Sequence, residues 1–156
     1  MVKTEAIILK KADLGETDRL LTIYSSERGK INILAKGVRK LESKLRYSIE
    51  PISWVQLILV EGKNFLILKD AVLKDEFLKI KKDLERLKIA QKIAEMIDQA
   101  IVGEEKDKDI WKLILTTLKS LNVGSRTSNI EEDFQKKLIK LLGYDPDQVK
   151  DLSGIY

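Results

Sequence analysis

The chain has 156 residues, 44% hydrophobic and 35% charged with both signs mixed, so it can bury a core as one domain or as two small ones. It contains no cysteine and no histidine, which excludes disulfides, thiolate nucleophiles, imidazole bases and Cys/His zinc sites within these residues. No apolar run approaches the roughly 18 residues of a membrane span and the first residues lack signal-peptide character, so we expect a cytoplasmic protein that contacts no membrane.

The first half of the chain shows the patterns of five β-strands. Apolar, β-branched and aromatic runs predict strands over 2–11, 20–24, 30–35, 52–60 and 65–72. The longest break separates the third strand from the fourth. Five strands with this layout match an OB-fold, a small barrel whose face and loops commonly bind oligonucleotides. The spacing alone also allows other small barrels.

The long break between the third and fourth strands holds residues 36–46, which we call the basic loop. It carries five cations against one anion, Glu42, and the cations are Lys36, Arg39, Lys40, Lys44 and Arg46. The local charge equals the formal net charge of the whole chain, +4, so the charges elsewhere cancel. An anionic partner would be attracted to this loop, although a cation run can also be only a solvated surface.

The second half of the chain changes to a helical period. Apolar residues at intervals of three and four predict helices over 77–101, 109–121 and 130–142. Ser128 and Glu131 fit a capping box at the start of the third helix. We therefore predict an α+β protein, with an N-terminal five-stranded OB-fold β-barrel over 1–74 for nucleic-acid binding. We expect it to be packed on a C-terminal all-helical domain over 75–156 as one rigid unit.

Several short motifs, taken in order, resemble the amino-terminal half of the RecO family of bacterial recombination mediators. They are EAIIL at 5–9, GETDRL at 15–20, GK at 29–30, AKGVRK at 35–40, SKLR at 43–46 and LGYDP at 142–146. The resemblance implies an OB-fold followed by a helical domain. It also implies binding of single- and double-stranded DNA, annealing of complementary strands, and cooperation with RecR and single-stranded DNA-binding protein (SSB) in loading RecA.

The end of the chain departs from the family pattern. In many members a four-cysteine zinc module follows the LGYxP motif, with its first ligand expected near Asp151 or Leu152. This sequence has no cysteine there or elsewhere. Two interpretations stay open: a short, zinc-free member, or a truncated sequence. We expect no metal and no cofactor.

The candidate DNA-binding residues are the basic loop and its neighbours. We expect Lys36, Arg39, Lys40, Lys44 and Arg46 to contact phosphates, Arg28 and Lys30 to extend the track, and Tyr47 to lie exposed beside it. Five to seven phosphate contacts predict a log-log salt slope of roughly −3.5 to −5 on a single strand. Binding would be nearly independent of base sequence, because phosphate contacts position a protein without specifying bases.

Four aromatic residues could also stack on bases, as single-strand binders do. They are Tyr24, Tyr47, Trp54 and Phe65. Because Trp54 and Phe65 lie inside apolar strands, we favour the barrel core for both. Tyr47 adjoins Arg46 and is expected to be exposed.

A metal-dependent nuclease is the enzymatic alternative. It would use the carboxylates of Glu16, Asp18 and Glu27. We favour turn formation and ion pairs of Asp18 or Glu27 with Arg19 or Arg28, and hence a protein that is not an enzyme. The sequence also lacks the Gly-x-x-x-x-Gly-Lys-Ser/Thr pattern of ATP-binding loops.

Partners are implied by the resemblance and are not mapped by the sequence. The SSB C-terminal tail is acidic and ends in hydrophobic residues, so it would need an apolar groove edged by cations. Possible rims are Lys81, Lys82, Arg86, Lys88, Lys136, Lys137 and Lys140. A RecR contact is implied without a location. An OB-type module acting on RNA or the ribosome remains the second alternative.

Overall fold

The computed structural model describes residues 1–40, 43–124, 127–149 and 152. The chain divides into two compact units. One comprises Met1–Glu76 together with Gly103–Lys106, and the other comprises Phe77–Val102 and Asp107–Tyr156. We call them the barrel unit and the helical unit.

Five strands form a closed barrel in the first unit. They are β1 (Val2–Leu14), β2 (Asp18–Ser25), β3 (Gly29–Ala35), β4 (Trp54–Glu61) and β5 (Leu66–Asp75). The strand order around the barrel is β1-β2-β3-β5-β4. The pairs are antiparallel except β3 with β5, which are parallel. The predicted OB-fold barrel followed by helices is confirmed.

Alternation along the strands builds the barrel core. In β3, Ile31, Ile33 and Ala35 are buried, and the residues between them face outward. The inward residues of the strands form one cluster, which Val38 and Ile49 join from the connection between β3 and β4. Each fully buried aliphatic side chain stabilises the fold by about 1.5–3 kcal/mol. The β3–β4 connection is therefore anchored in the core near both of its ends.

The β1–β2 hairpin extends beyond the part of β1 that pairs with β4. β1 pairs with β4 from Val2 to Ile7, whereas its pairing with β2 continues to Leu14 after an irregularity between Ile8 and Lys10. The turn of this hairpin meets the β3–β4 connection, because the Arg39 amide donates to the Thr17 carbonyl at 2.9 Å. This contact brings the hairpin tip to the basic loop.

The helical unit contains, within the described residues, four helices. They are α1 (Leu78–Lys82), α2 (Leu84–Ala100), α3 (Lys108–Val123) and α4 (Ile130–Leu141). The prediction of one continuous helix over 77–101 is wrong, because Asp83 is extended, with φ −120° and ψ 113°. Its carboxylate accepts hydrogen bonds from the amides of Glu85 and Arg86, so Asp83 ends α1 and caps α2.

The start of α4 also differs from its prediction. The residue preceding the helix is Asn129, which is left-handed at φ 69° and makes no capping hydrogen bond with its side chain. Glu131, the expected partner of Ser128, instead forms an ion pair with Lys92 at 3.6 Å. The capping box is therefore wrong, and the left-handed conformation that asparagine tolerates takes its place. Among the described residues no helix has the length and apolarity to cross a bilayer.

Candidate nucleic-acid interface

The basic loop begins at the end of β3 and presents three lysines to solvent. Lys36, Lys40 and Lys44 are exposed, while Val38 between them is buried. None of the three lysines forms an ion pair with a residue that the structure describes. Because the loop is anchored by a buried valine, its lysines stand on a fixed base without an ion-pair partner in the described part of the chain.

Asp18 at the start of β2 holds the first turn of the basic loop. Its Oδ1 accepts a hydrogen bond from the Gly37 amide at 2.7 Å and another from the Thr17 hydroxyl at 3.2 Å. Gly37 has φ +65°, which glycine adopts without strain. The Gly37 hydrogen bond, foremost, and the charges of Lys36 and Arg39 lower the pKa of Asp18. The carboxylate is therefore held in its charged form.

Arg39 braces the same turn from the opposite direction. Its Nε donates to the Asp18 carbonyl at 3.2 Å, its Nη2 donates to the Gly15 carbonyl, and its Nη1 pairs with Asp13 at 3.4 Å. Only 23% of the side chain is exposed. All three guanidinium nitrogens are thus directed at the β1–β2 hairpin. A phosphate contact of Arg39 stays a prediction.

Further ion pairs continue this bracing along the hairpin. Arg19 contacts Asp13 at 3.3 Å and Glu50 at 3.6 Å, and Glu50 also contacts Lys11 at 2.8 Å. Such partly exposed pairs contribute about 0.2–1 kcal/mol each, so their main effect is on geometry. Arg19 was expected to pair with Asp18 or Glu27, and this expectation is wrong because Asp13 and Glu50 hold its guanidinium.

The rest of the basic loop is partly described. A short 3₁₀ turn covers Leu45–Tyr47, and Tyr47 is 72% exposed, which confirms its expected exposure. Leu41 and Glu42 lie outside the described residues, as does the side chain of Arg46. The role predicted for Arg46 is therefore left as a prediction.

Arg28 and Lys30 lie at the far end of β3 from the basic loop. Gly29 and Ala35 are the two ends of this seven-residue strand, and they lie about 20 Å apart. The two parts of the predicted track are therefore separated by a strand's length. Outward-facing residues of β3 lie between them, since Lys30, Asn32, Leu34 and Lys36 alternate with the buried residues.

The β2–β3 turn beside Arg28 is covered by the segment Gly103–Lys106. Arg28 pairs with Glu104 at 3.0 Å, and Glu27 pairs with Lys106 at 2.9 Å. Glu27 was expected to pair with Arg28 or Arg19. That expectation is wrong, because a segment almost eighty positions away in sequence supplies both partners.

The aromatic residues occupy three different environments. Tyr24 is buried at 1% exposure. Trp54 is half-buried on β4, outside the barrel core cluster, with the Lys74 ammonium 4.7 Å from its ring centroid. Phe65 is half-buried in the wall of a groove. The preferred interpretation of Trp54 and Phe65 as barrel core is wrong, because the strand register directs Val55 and Leu66 inward instead.

The carboxylates of this region act in local structure. Asp18 binds backbone, Glu27 binds a lysine, and Glu16 is exposed in the turn. Across the described ranges no group of three or more Asp or Glu residues is placed to hold a metal ion.

Two of the helical cations named as possible rims are already engaged. Arg86 donates to the carbonyls of Leu121 and Gly124 and pairs with Asp83 at 3.2 Å, with 15% of its side chain exposed. Lys136 pairs with Glu132 at 3.4 Å on the same helix. Both cations therefore have partners within the helical unit, and their contacts do not identify a groove for a peptide.

The sequence motifs contained the bracing residues without revealing that they meet. Asp18 lies in GETDRL and Arg39 in AKGVRK. The pattern of apolar and polar residues in these two segments does not show that the β1–β2 turn contacts the first turn of the basic loop. A glycine two residues before an arginine, opposite a turn rich in Asp and Glu, was the available signal.

Comparison with known proteins agrees with this architecture. The family description "Recombination protein O N terminal" matches residues 1–77, and "Recombination protein O C terminal" matches residues 81–153. The DNA repair protein RecO of Roseiflexus sp. (strain RS-1) is 35% identical over 144 residues, which are 92% of this chain and 50% of that protein. The RecO protein of Desulforamulus reducens is 34% identical over 145 residues, 93% of this chain and 56% of its own.

A third relative gives the same result. The DNA repair protein RecO of Heliobacterium modesticaldum is 35% identical over 149 residues, which are 94% of this chain and 53% of that protein. The chain spans about half the length of the curated relatives it matches. Because the two family matches follow each other along the barrel and helical halves, the chain belongs to the RecO family.

Proposed function

We propose that this protein is a non-catalytic, DNA-binding recombination mediator of RecO type that acts in DNA repair in the cytoplasm. The observation that carries the proposal is the set of three exposed lysines, Lys36, Lys40 and Lys44, on a loop braced by Asp18 and Arg39. Lysines that have no ion-pair partner among the described residues suit phosphates, because they release counterions on binding without first breaking such a pair.

The outward face of β3 supplies a path for the DNA strand. It runs from Lys30 past Asn32 to Lys36, over about 20 Å of strand. OB-folds commonly bind oligonucleotides across the face of their second and third strands, which supports this path. Arg28 would begin the track, and Lys40, Lys44, Arg46 and Tyr47 would end it. Arg39 would act mainly by holding the loop in place.

Annealing follows from this arrangement, because a cationic surface screens the repulsion between two phosphate chains while leaving base edges accessible. Binding of both single- and double-stranded DNA, cooperation with RecR, recognition of the SSB tail and assistance to RecA are part of the proposal. They rest on membership of the RecO family.

The test replaces Lys36, Lys40 and Lys44 together by Ala. Loss of three phosphate contacts should make the log-log salt slope on single-stranded DNA shallower by about 2. We expect affinity at low salt to fall more than about tenfold, and strand annealing to slow with it. The measurement is fluorescence anisotropy over a salt series, together with an annealing assay.

A matched control replaces Lys3, Lys79 and Lys112 by Ala. These lysines are also exposed, so the net charge changes equally while the basic loop stays intact. Equal effects of the two triple variants would overturn the proposed site. Tighter binding of RNA than DNA homopolymers at one salt concentration would favour the RNA alternative, and cleavage of labelled DNA with magnesium or manganese would favour the nuclease.

A further inference from the structure

A groove of about 520 Å³ lies in the barrel unit beside the first half of β3. Within the described residues, β3 and β5 pair at Ile33 with Leu66 and at Leu34 with Ile67. The earlier residues of β3 therefore diverge from the turn between β4 and β5, and the groove opens between them. Its lining is Arg28, Lys30, Ile31, Asn32, Glu61, Gly62, Lys63, Asn64, Phe65, Leu66, Gly103 and Glu104.

The groove has a different chemistry from the basic loop. It combines an aromatic residue, Phe65, with the amides of Asn32 and Asn64 and with the carboxylates of Glu61 and Glu104. The lining also holds the cations Arg28, Lys30 and Lys63, and a phosphate would use only these and leave the ring and the amides without a partner. A nucleobase, in contrast, offers both hydrogen-bond donors and acceptors on its edge and a π-face for an aromatic ring.

Two structural details prepare this groove for a base edge. The Thr22 hydroxyl donates to Asn32 Oδ1 at 2.8 Å, which fixes the amide and leaves its Nδ2 donor on the other side. Gly62 is required in the turn, because a Cβ there would lie 2.5 Å from the Phe65 carbonyl oxygen. The turn is therefore tight, and Asn64 and Phe65 follow it in the lining of the groove.

We propose that this groove is a nucleobase subsite, in which one unstacked base packs against Phe65 while its edge contacts Asn32 or Asn64. The proposal rests on the proposed function, because Lys30 at the groove also begins the phosphate path. A volume of about 520 Å³ falls within the range of small-ligand pockets. Since a paired base cannot enter, the subsite binds single strands and bulged or terminal bases.

The test compares oligothymidine with an abasic oligonucleotide that has the same number of phosphates. Binding of the abasic strand reports the phosphate path alone, and the affinity ratio of the two strands reports the base subsite. One stacked base should make the ratio about 5- to 150-fold for the unmodified protein. Phe65→Leu retains apolar bulk without the π-face, so the ratio should fall towards one with the salt slope unchanged.

Tyr144→Leu is the matched control, since it removes an exposed aromatic ring that lies outside the proposed DNA path, and the ratio should persist in it. An unchanged ratio in Phe65→Leu overturns the subsite. Should that variant not fold, the double variant Asn32→Ala with Asn64→Ala decides, because both side chains are exposed, and an unchanged ratio there also overturns the subsite. Failure of the proposed function is distinguishable, because the abasic strand would then not bind.

Discussion

The carboxylate of Asp18 accepts a hydrogen bond from the backbone amide of Gly37 at 2.7 Å, joining the tip of the β1–β2 hairpin to the first turn of the basic loop. Asp18 begins β2 and Gly37 follows β3, and these strands pair from Arg19 with Ala35 to Ser25 with Gly29. The hydrogen bond therefore closes the end of the barrel from which the lysines project.

This hydrogen bond should weaken when the Asp18 carboxylate is protonated. The pKa of Asp18 is lowered from 3.8 in the folded protein, mainly by the hydrogen bond from the Gly37 amide. The stabilising contribution is therefore complete above 3.8 and is lost as pH falls through the lower, folded value. In an NMR titration, the Gly37 amide shift should change with a midpoint below 3.8.

Asp18→Asn provides the control for that titration. The substituted side chain keeps an oxygen acceptor but loses the titrating carboxylate, so the Gly37 shift should stay flat in the same pH range. A midpoint at or above 3.8 in the unmodified protein would contradict the assignment.

Arg39 and Lys40 are adjacent, yet they should behave differently on replacement by Ala. Arg39→Ala removes three hydrogen-bonding or charged contacts and should destabilise the protein by about 1–2 kcal/mol, with the salt slope of DNA binding nearly unchanged. Lys40→Ala should change stability by less than about 0.5 kcal/mol and make the slope shallower by about 0.7. Urea unfolding and a salt series measure both. The reverse pattern would make Arg39 the phosphate contact.

Gly29 and Gly15 separate a backbone effect from a packing effect. Both have positive φ, +67° and +62°, but a Cβ at Gly29 would collide with the Glu105 carbonyl, whereas nothing lies within 4 Å of a Cβ at Gly15. Gly15→Ala should cost about 1–2 kcal/mol from the backbone alone. Gly29→Ala should cost about 1–3 kcal/mol more, because the segment Gly103–Lys106 must move. Equal free energies of unfolding for Gly15→Ala and Gly29→Ala would mean that the segment Gly103–Lys106 does not pack against Gly29 in solution.

Arg86 should stabilise the helical unit by joining α2 to the end of α3. It satisfies the carbonyls of Leu121 and Gly124, which lack partners within the helix. Arg86→Ala should lower the free energy of unfolding by about 1.5–3 kcal/mol. The exposed Lys88 lies half a turn away, and Lys88→Ala should stay within about 0.5 kcal/mol. Comparable losses in both variants would argue against the contact.

Hydrophobic periodicity and the run of cations were enough to predict the barrel, the helical half and the location of the basic loop. Alternating and 3.6-residue periods report which residues are buried, and five like charges in eleven residues are visible without any fold. The break at Asp83 was missed because the apolar period continues on both sides of it. The Asp83 carboxylate accepts hydrogen bonds from the amides of Glu85 and Arg86, and these local contacts begin a new helix, α2, at this point.

Which charges are engaged and which are presented to solvent depends on contacts that form only in the folded chain. Arg39 and Lys40 look alike in sequence, but the hairpin that holds Arg39 is docked through backbone pairing of β1, β2 and β3. Likewise, Glu104 and Lys106 reach the β2–β3 turn only after the chain has passed through two helices. Ion pairs depend on distances in space between residues remote in sequence, and periodicity carries no information about those distances.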